Sequence, residues 1–271
     1  MNILVCVKQV PNSTEIKIDP ETNSLIRDGV PSIVNTFDGF ALEMAARIKD
    51  KREAKIVVMS MGPEQAKAAL KECLAVGADK AYLVSDRAFG GSDTLATSYI
   101  LSKAVRTVEA EEGVFDLIFC GKQAIDGDTA QVGPELAEHL DYPQITCITD
   151  ITLEEGKIRA ERQTENGKEI WEASMPAVVT VTKPDFEPRC SSVKSKIAAR
   201  HAAIPVLTID EIKAEVERIG LKGSPTKVKK TFVPPRKNGG VVVQEETERE
   251  SAIKLAALLS DAGIALGGAK K

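Results

Sequence analysis

The chain has 271 residues, of which 43% are hydrophobic and 28% are charged. This composition predicts a globular protein, built either as one large α/β domain with appendages or as two small domains. The formal net charge of −4 gives no indication of binding to nucleic acid or to an anionic membrane. No apolar run reaches the roughly 18 residues that would span a bilayer.

Five scattered cysteines, without a Cys-x-x-Cys pair, favour reduced thiols and a cytoplasmic location. The chain has only two histidines, His139 and His201, and they lie far apart in sequence. A zinc site or a serine–histidine–aspartate triad is therefore poorly supported. We predict neither a metal site nor catalytic residues.

Apolar runs in the first 120 residues predict four buried strands, at 3–7, 56–59, 81–84 and 115–120. Helical patterns lie between or after these strands. One could be capped by Asp38, one covers 64–76, one begins at Ser92-Asp93-Thr94 and one covers 135–140. This alternation predicts right-handed βαβ units in a Rossmann-like parallel sheet, with ligands bound outside the carboxyl ends of its strands.

The second half of the chain has a different pattern. Strand-like segments without long helices between them predict an antiparallel addition to the sheet, at 145–153, 157–163, 168–173 and 177–183. The pattern of 207–219 predicts a helix. Proline and glycine pairs in 226–240 predict an extended linker, and 246–262 predicts an amphipathic helix that a partner chain could cover. We therefore divide the chain into an α/β domain, 1–225, and a C-terminal arm, 226–271.

The segment from Gly121 to Pro134 is the strongest candidate binding site. It joins a buried strand to a helix, so the first N–H groups of that helix are available to an anion. Its glycines would let the backbone approach a ligand closely, at Gly121, Gly127 and Gly133. Gly127 is expected at positive φ or close to the ligand, and Asp128 and Gln131 have the spacing of a capping box. An ordinary well-capped strand–helix loop would explain the same residues.

Several residues admit both a chemical and a structural interpretation. Asp126 and Asp128 could form a carboxylate pair for acid–base work or for Mg²⁺, although turn and capping roles also suit them. Cys6 could be a nucleophile or a small core residue. No set of nucleophile, base and orienting residue emerges. A binding or carrier role is therefore favoured over stand-alone nucleotide hydrolysis.

Three segments of the chain resemble those of a known family. Val5–Val10 resembles its N-terminal strand, and Gly121–Gly133 resembles its nucleotide loop. Residues 160–169 and 175–180 resemble its signature. Asn166 departs from it by replacing an acidic residue or a glycine, and Trp171 by replacing an aliphatic residue. The family is that of the electron transfer flavoprotein beta subunits.

This resemblance implies a heterodimer with an alpha subunit, whose FAD passes electrons to a partner dehydrogenase of the acyl-CoA or 2-hydroxy acid type. The beta subunit holds AMP in housekeeping members of the family and a second FAD in flavin-bifurcating members. By motif position, the nucleotide pocket comprises Cys6, Asn35, Thr36, Phe37, Asp38, Met61, Gly121, Lys122, Gln123, Ala124, Ile125, Asp126, Gly127, Asp128, Thr129, Ala130, Gln131 and Val132.

Two details resemble the flavin-holding members: Val132-Gly133-Pro134, and Asp38 after Asn35-Thr36-Phe37. FAD is therefore the expected cofactor and AMP the alternative. In the bifurcating reading, NADH would give a hydride to this FAD. One electron would then pass to ferredoxin or flavodoxin and the other to the FAD of the alpha subunit.

Residues 187–204 resemble the segment that inserts into the partner dehydrogenase in this family. Val193 occupies the position where relatives place an exposed leucine. The basic residues Lys194, Lys196 and Arg200 would form a docking patch, although a solvated helix face would look the same. The resemblance also implies that the C-terminal arm wraps the alpha subunit.

Overall fold

The computed structural model describes residues 1–12, 32–229 and 239–264, together with the backbone of two short strands at 17–18 and 25–26. The strands are β1 (Asn2–Cys6), β2 (Gln9–Pro11), β3 (Lys17–Ile18), β4 (Leu25–Ile26), β5 (Ser32–Val34), β6 (Lys55–Met61), β7 (Lys80–Val84), β8 (Leu117–Gly121), β9 (Gln144–Glu154), β10 (Lys157–Thr164), β11 (Gly167–Ser174), β12 (Ala177–Val181) and β13 (Val206–Leu207). The helices are α1 (Thr36–Lys49), α2 (Lys67–Val76), α3 (Thr94–Glu112), α4 (Val132–Leu140), α5 (Val193–His201), α6 (Ile209–Ile212), α7 (Gly220–Gly223) and α8 (Glu248–Asp261).

Nine strands of the described chain form one sheet, in the order β11-β10-β9-β12-β8-β1-β6-β7-β13. From β9 to β13, every pair of adjacent strands is parallel. Strands β9, β10 and β11 form an antiparallel meander at the other edge. The predicted parallel α/β sheet with an antiparallel addition is confirmed.

Strand β12 belongs to the parallel part of the sheet, so the prediction that 177–183 joins the antiparallel addition is wrong. It lies between β8 and β9 and runs parallel to both. All five of its residues are buried, which is the pattern of a strand covered on both faces. Strand β11, at the edge of the sheet, is exposed at nearly every position.

Helices cover both faces of the sheet, and strand side chains alternate between the two faces. Ile3 and Val5 pack into the core beneath α1 and α2, whereas Leu4 and Cys6 pack beneath α3 and α4. The chain passes from β1 to β6 and β7, and then places β8 on the other side of β1. The strand order therefore reverses between β1 and β8, where sheets of this kind commonly bind ligands.

The region after α5 does not form the predicted helix 207–219. Thr208 and Glu211 form a capping box that starts α6. Lys213 then adopts the left-handed conformation, with φ of 51°, and α6 ends after one turn. The apolar spacing that predicted a longer helix instead reflects the separate burial of Ile212 and Ile219.

The chain divides into two compact units, Met1–Thr231 and Phe232–Lys271. In the second unit, α8 confirms the predicted last helix, and Thr247 forms a capping box with Glu250 at its start. The predicted linker 226–240 lies partly outside the described residues, and its described parts contain no regular secondary structure. Among the helices of the described chain, none has the length and hydropathy needed to cross a membrane.

Glu112, the last residue of α3, is a buried carboxylate at the amino ends of the parallel strands. It forms ion pairs with Lys55 of β6 and Lys80 of β7, and the Tyr82 hydroxyl donates to it at 2.6 Å. Burial alone would raise the pKa of Glu112, but these three donors lower it to about 2. The fold therefore favours the ionised carboxylate.

Replacing Glu112 by Gln should lower the free energy of unfolding at pH 7 by about 2 kcal/mol. Hydrogen bonds to charged groups contribute about 1.5–3 kcal/mol each, and both lysines remain partly in water. Because the folded pKa lies below the ordinary value of 4.5, the loss should shrink as the pH falls from there towards about 2. Urea unfolding at several pH values would measure it. The control is Glu111→Gln, at an exposed neighbour that accepts a 3.2 Å hydrogen bond from Tyr82. Equal losses of unfolding free energy in the two variants would contradict the prediction.

Candidate functional site

A cavity of about 350 Å³ lies at the carboxyl ends of β1, β6 and β8, where the strand order reverses. Its walls come from the ends of these three strands, from the β8–α4 loop (residues 122–131) and from the first turns of α3. The volume falls at the lower end of the range of about 300–1,000 Å³ that is usual for small-molecule pockets. Parallel strands bring these loops together because their carboxyl ends meet at one edge of the sheet.

Asp38, in the first turn of α1, joins the ends of two neighbouring strands. Its carboxylate accepts the N–H of Lys8 at 2.7 Å, the N–H of Gly121 at 3.2 Å and the side-chain amide of Asn35 at 2.9 Å. Burial raises the pKa of Asp38 from 3.8 to about 7, and the three donors act in the opposite direction. The predicted capping role is wrong, because Asn35 occupies the N-cap position and Asp38 bonds to other elements.

Asn35 is fully buried and fixes the first half of the β8–α4 loop. Its Nδ2 donates to the carbonyl of Gln123 at 2.8 Å, and its Oδ1 accepts the N–H of Ile125 at 3.0 Å. Protein contacts therefore set the path of this part of the loop before any ligand is considered.

Asp126 and Asp128 do not act together in the structure. Asp126 forms a 2.7 Å ion pair with Lys8, and Asp128 accepts a 2.7 Å hydrogen bond from the side chain of Gln123. The described residues contain no group of three potential metal ligands. The predicted capping box of Asp128 and Gln131 is also wrong, because no side chain caps α4.

The uncapped start of α4 is the main electrostatic feature of the cavity. Gln131 is its N-cap residue, and Val132 and Gly133 follow as the first two helical residues. Their N–H groups have no acceptor among the described residues, and all three residues line the cavity. Pro134 has no N–H to satisfy, which suits the first turn of a helix. Such a helix start attracts an anion through free N–H groups and the helix dipole.

The three glycines of this region have different roles. A Cβ on Gly121 would lie 2.2 Å from the Asp38 carboxylate, and one on Gly133 would lie 2.5 Å from Thr180. These two glycines therefore serve packing within the protein. Gly127 lies outside the positive-φ region, so the expectation of positive φ there is wrong. A Cβ there would meet no atom within 4 Å, and the close approach of Gly127 to a ligand stays a prediction. Asp128 and Ala130 adopt positive φ instead, both at 54°.

The structure places two thirds of the predicted pocket residues on the cavity wall. These are Cys6, Asp38, Met61, Gly121, Lys122, Gln123, Ala124, Gly127, Thr129, Ala130, Gln131 and Val132. Those that do not line it are Asn35, Thr36, Phe37, Ile125, Asp126 and Asp128. Of the second group, Asn35 holds the loop through Gln123 and Ile125, and Asp126 and Asp128 belong to the loop itself, with their side chains bonded to Lys8 and Gln123.

Sequence reasoning missed the wall formed by α3. Ser92, Asp93, Thr94, Thr97 and Leu101 all line the cavity. The signal was the helix start at Ser92-Asp93-Thr94, which follows β7 and so lies at the same edge of the sheet. The carboxylate of Asp93 caps α3 by accepting the Ala96 N–H at 3.1 Å, and it also accepts the Thr226 hydroxyl at 2.7 Å.

The docking segment, defined as residues 187–204, lies against α1 and α2. Arg189 bonds to Glu43 of α1 at 2.7 Å and to Asp50, the residue after α1, at 2.7 Å. Helix α5 follows, and the carbonyl of Arg200 accepts a 3.1 Å bond from Lys71 of α2. Of the residues in α5, only Ala199 is buried. Contacts on both sides of α5 therefore fix the helix that carries the predicted docking residues.

The chain is an α/β protein with a cavity where the strand order of its parallel sheet reverses. The uncapped helix start on the cavity wall suits an anionic ligand. The family model described as "Electron transfer flavoprotein domain" matches residues 22–212. The chain is 50% identical to the electron transfer flavoprotein subunit beta of Megasphaera elsdenii, over 93% of this chain and 95% of that one. It therefore belongs to the electron transfer flavoprotein family, among the beta subunits.

Two further relatives have more specific names. The chain is 45% identical to the caffeyl-CoA reductase-Etf complex subunit CarD of Acetobacterium woodii, over 97% of this chain and 100% of that one. It is also 45% identical to protein FixA of Azotobacter vinelandii, over 95% of this chain and 93% of that one. The resemblance seen in the sequence is confirmed at the level of the family and the subunit.

Replacing Asp38 by Asn should change the pH dependence of stability. The folded pKa of about 7 lies above the ordinary 3.8, so in the parent the stabilising contribution of protonation is present at low pH and is lost as the pH rises to about 7. An asparagine does not titrate and would turn one N–H towards the donors around it. The free energy of unfolding of the parent minus that of Asp38→Asn should therefore fall between about pH 4 and pH 7. Urea unfolding at several pH values would measure this difference. For Glu112→Gln, the same difference between parent and variant should instead rise between about pH 2 and pH 4.5. A difference for Asp38→Asn that does not change with pH would contradict the raised pKa of Asp38.

Proposed function

We propose that this beta subunit holds FAD in the cavity at the ends of β1 and β8, with the FAD pyrophosphate at the start of α4. The observation that carries the proposal is the pair of N–H groups of Val132 and Gly133, which lack acceptors among the described residues and adjoin the cavity. A nucleotide phosphate is the kind of anion that such a helix start binds.

The residues around the cavity fit a nucleotide. Thr129 and Gln131 line it and offer neutral groups for phosphate or ribose oxygens. Four nearby carboxylates are already bonded to protein groups, Asp38 to Lys8 and Gly121, Asp93 at α3, Asp126 to Lys8 and Asp128 to Gln123. Because each carboxylate is bonded to a donor of the protein, its negative charge is partly compensated and repels a phosphate less.

The size of the cavity bears on which nucleotide is held. Its 350 Å³ is small for a pocket that must enclose a large ligand. The AMP part of FAD would fill the cavity, and the rest of the cofactor would extend past its mouth. An AMP molecule alone would occupy the same part of the site, so the contents of the purified protein must decide between the two.

The preference for FAD over AMP rests on the residues that resemble flavin-holding members, Val132-Gly133-Pro134 and Asp38 after Asn35-Thr36-Phe37. When bound, FAD would accept a hydride from NADH and supply single electrons to ferredoxin or flavodoxin and to the FAD of an alpha subunit. The chain's own residues would bind and orient the cofactor through the backbone N–H groups of α4. One similar protein, CarD, is named as a subunit of a complex with a reductase, which supports a multi-subunit setting.

The proposed partners follow from the same resemblance to the electron transfer flavoprotein beta subunits. An alpha subunit would bind the C-terminal arm, and an FAD-dependent dehydrogenase of the acyl-CoA or 2-hydroxy acid type would bind the docking segment. The heterodimer would work in the cytoplasm.

Replacing Gly127 by Val should remove the nucleotide of this subunit without disturbing the fold. Its Cβ would meet no protein atom within 4 Å, yet Gly127 lines the cavity, so the added side chain would occupy ligand space. Release by denaturation and chromatography would count FAD and AMP per heterodimer. We expect two FAD in the parent and one in the variant.

The matched control is Gly240→Val, which also has open surroundings and no positive φ but does not line the cavity. Because Gly240 lies in the arm proposed to bind the alpha subunit, FAD is counted only in heterodimers recovered with a tagged alpha subunit. The control variant should keep two FAD. One FAD and one AMP in the parent would establish the housekeeping type and rule out bifurcation at this site. Two FAD in Gly127→Val would place the cofactor elsewhere.

Deleting residues 226–271 should abolish co-purification with the alpha subunit and leave the α/β unit folded. All thirteen strands that the structure describes precede residue 226, so the sheet and its two cores remain. Circular dichroism would test folding, and affinity purification of a tagged alpha subunit would test association. A heterodimer that survives the deletion would show that the arm is dispensable for assembly.

A further inference from the structure

We infer that Ile197 is a second apolar anchor beside Val193, and that this pair binds an apolar pocket rimmed by carboxylates on the partner dehydrogenase. The inference rests on the proposed function, which supplies the partner. It adds to that function a second contact residue and the chemistry of the partner's surface.

The apolar pair lies on one exposed face of α5. Val193 is 76% exposed and Ile197 is 59% exposed. Residues four apart on a helix are neighbours on the same face, with their Cβ atoms about 5–6 Å apart. Two large aliphatic side chains next to each other in solvent form a small contiguous apolar patch, unlike the single exposed apolar residues that are normal on protein surfaces. A valine at the predicted anchor position offers less apolar area than a leucine, and Ile197 supplies additional area within reach of it.

Cations surround the apolar pair on the same helix. Lys194, Lys196 and Arg200 are exposed, and none is ion-paired within the described parts of the chain. Burial raises the pKa of Glu72 on α2, and the charge of Lys196 opposes that rise, so Lys196 is partly compensated. Lys194 and Arg200 therefore carry most of the local positive charge. Since the whole chain has a net charge of −4, this basic rim is a local feature that would select an acidic partner surface.

The same cations argue against a second copy of this chain as the occupant. A symmetric contact would place each α5 against its own equivalent, and the lysines and arginines of the two helices would then face one another. Like charges across an interface are unfavourable. An acidic rim on a different protein avoids this repulsion and would steer association.

The helix is held in position before it meets a partner. Arg189 binds Glu43 and Asp50 on one side of α5, and the carbonyl of Arg200 binds Lys71 at its end. Ser192 caps the start of the helix through a capping box with Ser195. A surface ordered in this way loses little conformational freedom on binding, so a small apolar pair can contribute usefully to affinity.

The test uses the purified heterodimer and an FAD-containing acyl-CoA dehydrogenase from the source organism to which the parent transfers electrons at a saturable rate. We expect Val193→Asp and Ile197→Asp each to raise the KM for the dehydrogenase at least tenfold, with kcat and flavin content nearly unchanged. The matched control is Val114→Asp. Val114 is a 61% exposed valine three residues before β8, outside the docking segment, and its replacement should leave KM unchanged.

The basic rim is tested through ionic strength. Between about 20 mM and about 200 mM salt, screening should raise the KM of the parent. A variant with Lys194→Gln, Lys196→Gln and Arg200→Gln should start from a higher KM and show a flatter salt dependence. An equal salt dependence in parent and variant would overturn the charge assignment.

The outcomes separate this inference from the proposed function. If Val193→Asp raises KM and Ile197→Asp does not, docking occurs as proposed but with a single anchor, and the inference is wrong. If neither variant affects KM, or the parent heterodimer reduces no such dehydrogenase, the proposed docking segment itself fails. If the parent heterodimer doubles in mass on sedimentation and Ile197→Asp prevents this, a second copy occupies the patch and the inference is overturned.

Discussion

The carboxylate of Asp38 is the interaction on which the candidate site depends. It accepts hydrogen bonds from Lys8 after β1, from Gly121 at the end of β8 and from the Asn35 side chain at the start of α1. These three elements come from distant parts of the sequence and meet where the strand order reverses. Gly121 has to be a glycine for this contact, because a Cβ would lie 2.2 Å from the same carboxylate. A buried charge with three donors thus fixes the cavity wall at the cost of an unfavourable desolvation.

The candidate site contains an uncapped helix start without a phosphate-binding sequence motif. Side-chain cations are few near the cavity, and one of them, Lys8, is paired with Asp126. The positive potential comes mainly from the backbone N–H groups of Val132 and Gly133 and from the dipole of α4. Asp128 and Ala130 carry left-handed backbone conformations just before them, which are unfavourable for residues other than glycine. The loop therefore enters α4 along a conformationally unfavourable backbone path. That path leaves the helix start without a side-chain cap.

The sequence patterns predicted the sheet, its helices and the loop after β8 because each depends on local hydrophobic periodicity. They failed where tertiary contacts decide the outcome. Strand β12 is parallel because it fits between β8 and β9, and only its continuous burial could have indicated this. Asp38 looked like a helix cap because its partners, Lys8 and Gly121, are 30 and 83 residues away. The α3 wall of the cavity was missed because its residues are ordinary helix-start residues in sequence, and only the order of β6, β7 and β8 brings them to the site.

Helix α1 connects the two regions of the first unit that we propose bind the cofactor and the partner. Its first turn carries Asp38, which bonds to Gly121 just before the β8–α4 loop, and Glu43 follows five residues later, about 7.5 Å further along the helix axis. Glu43 is buried and binds Arg189, which holds the docking segment. A single helix therefore sets the position of the β8–α4 loop relative to α5, the two elements that we propose bind the cofactor and the partner. An electron carrier requires that its cofactor and its partner be held in a defined relation, since small displacements change how well reacting groups are aligned. In this chain two buried carboxylates on α1 make these connections, Asp38 to the ends of β1 and β8 and Glu43 to Arg189, which precedes α5.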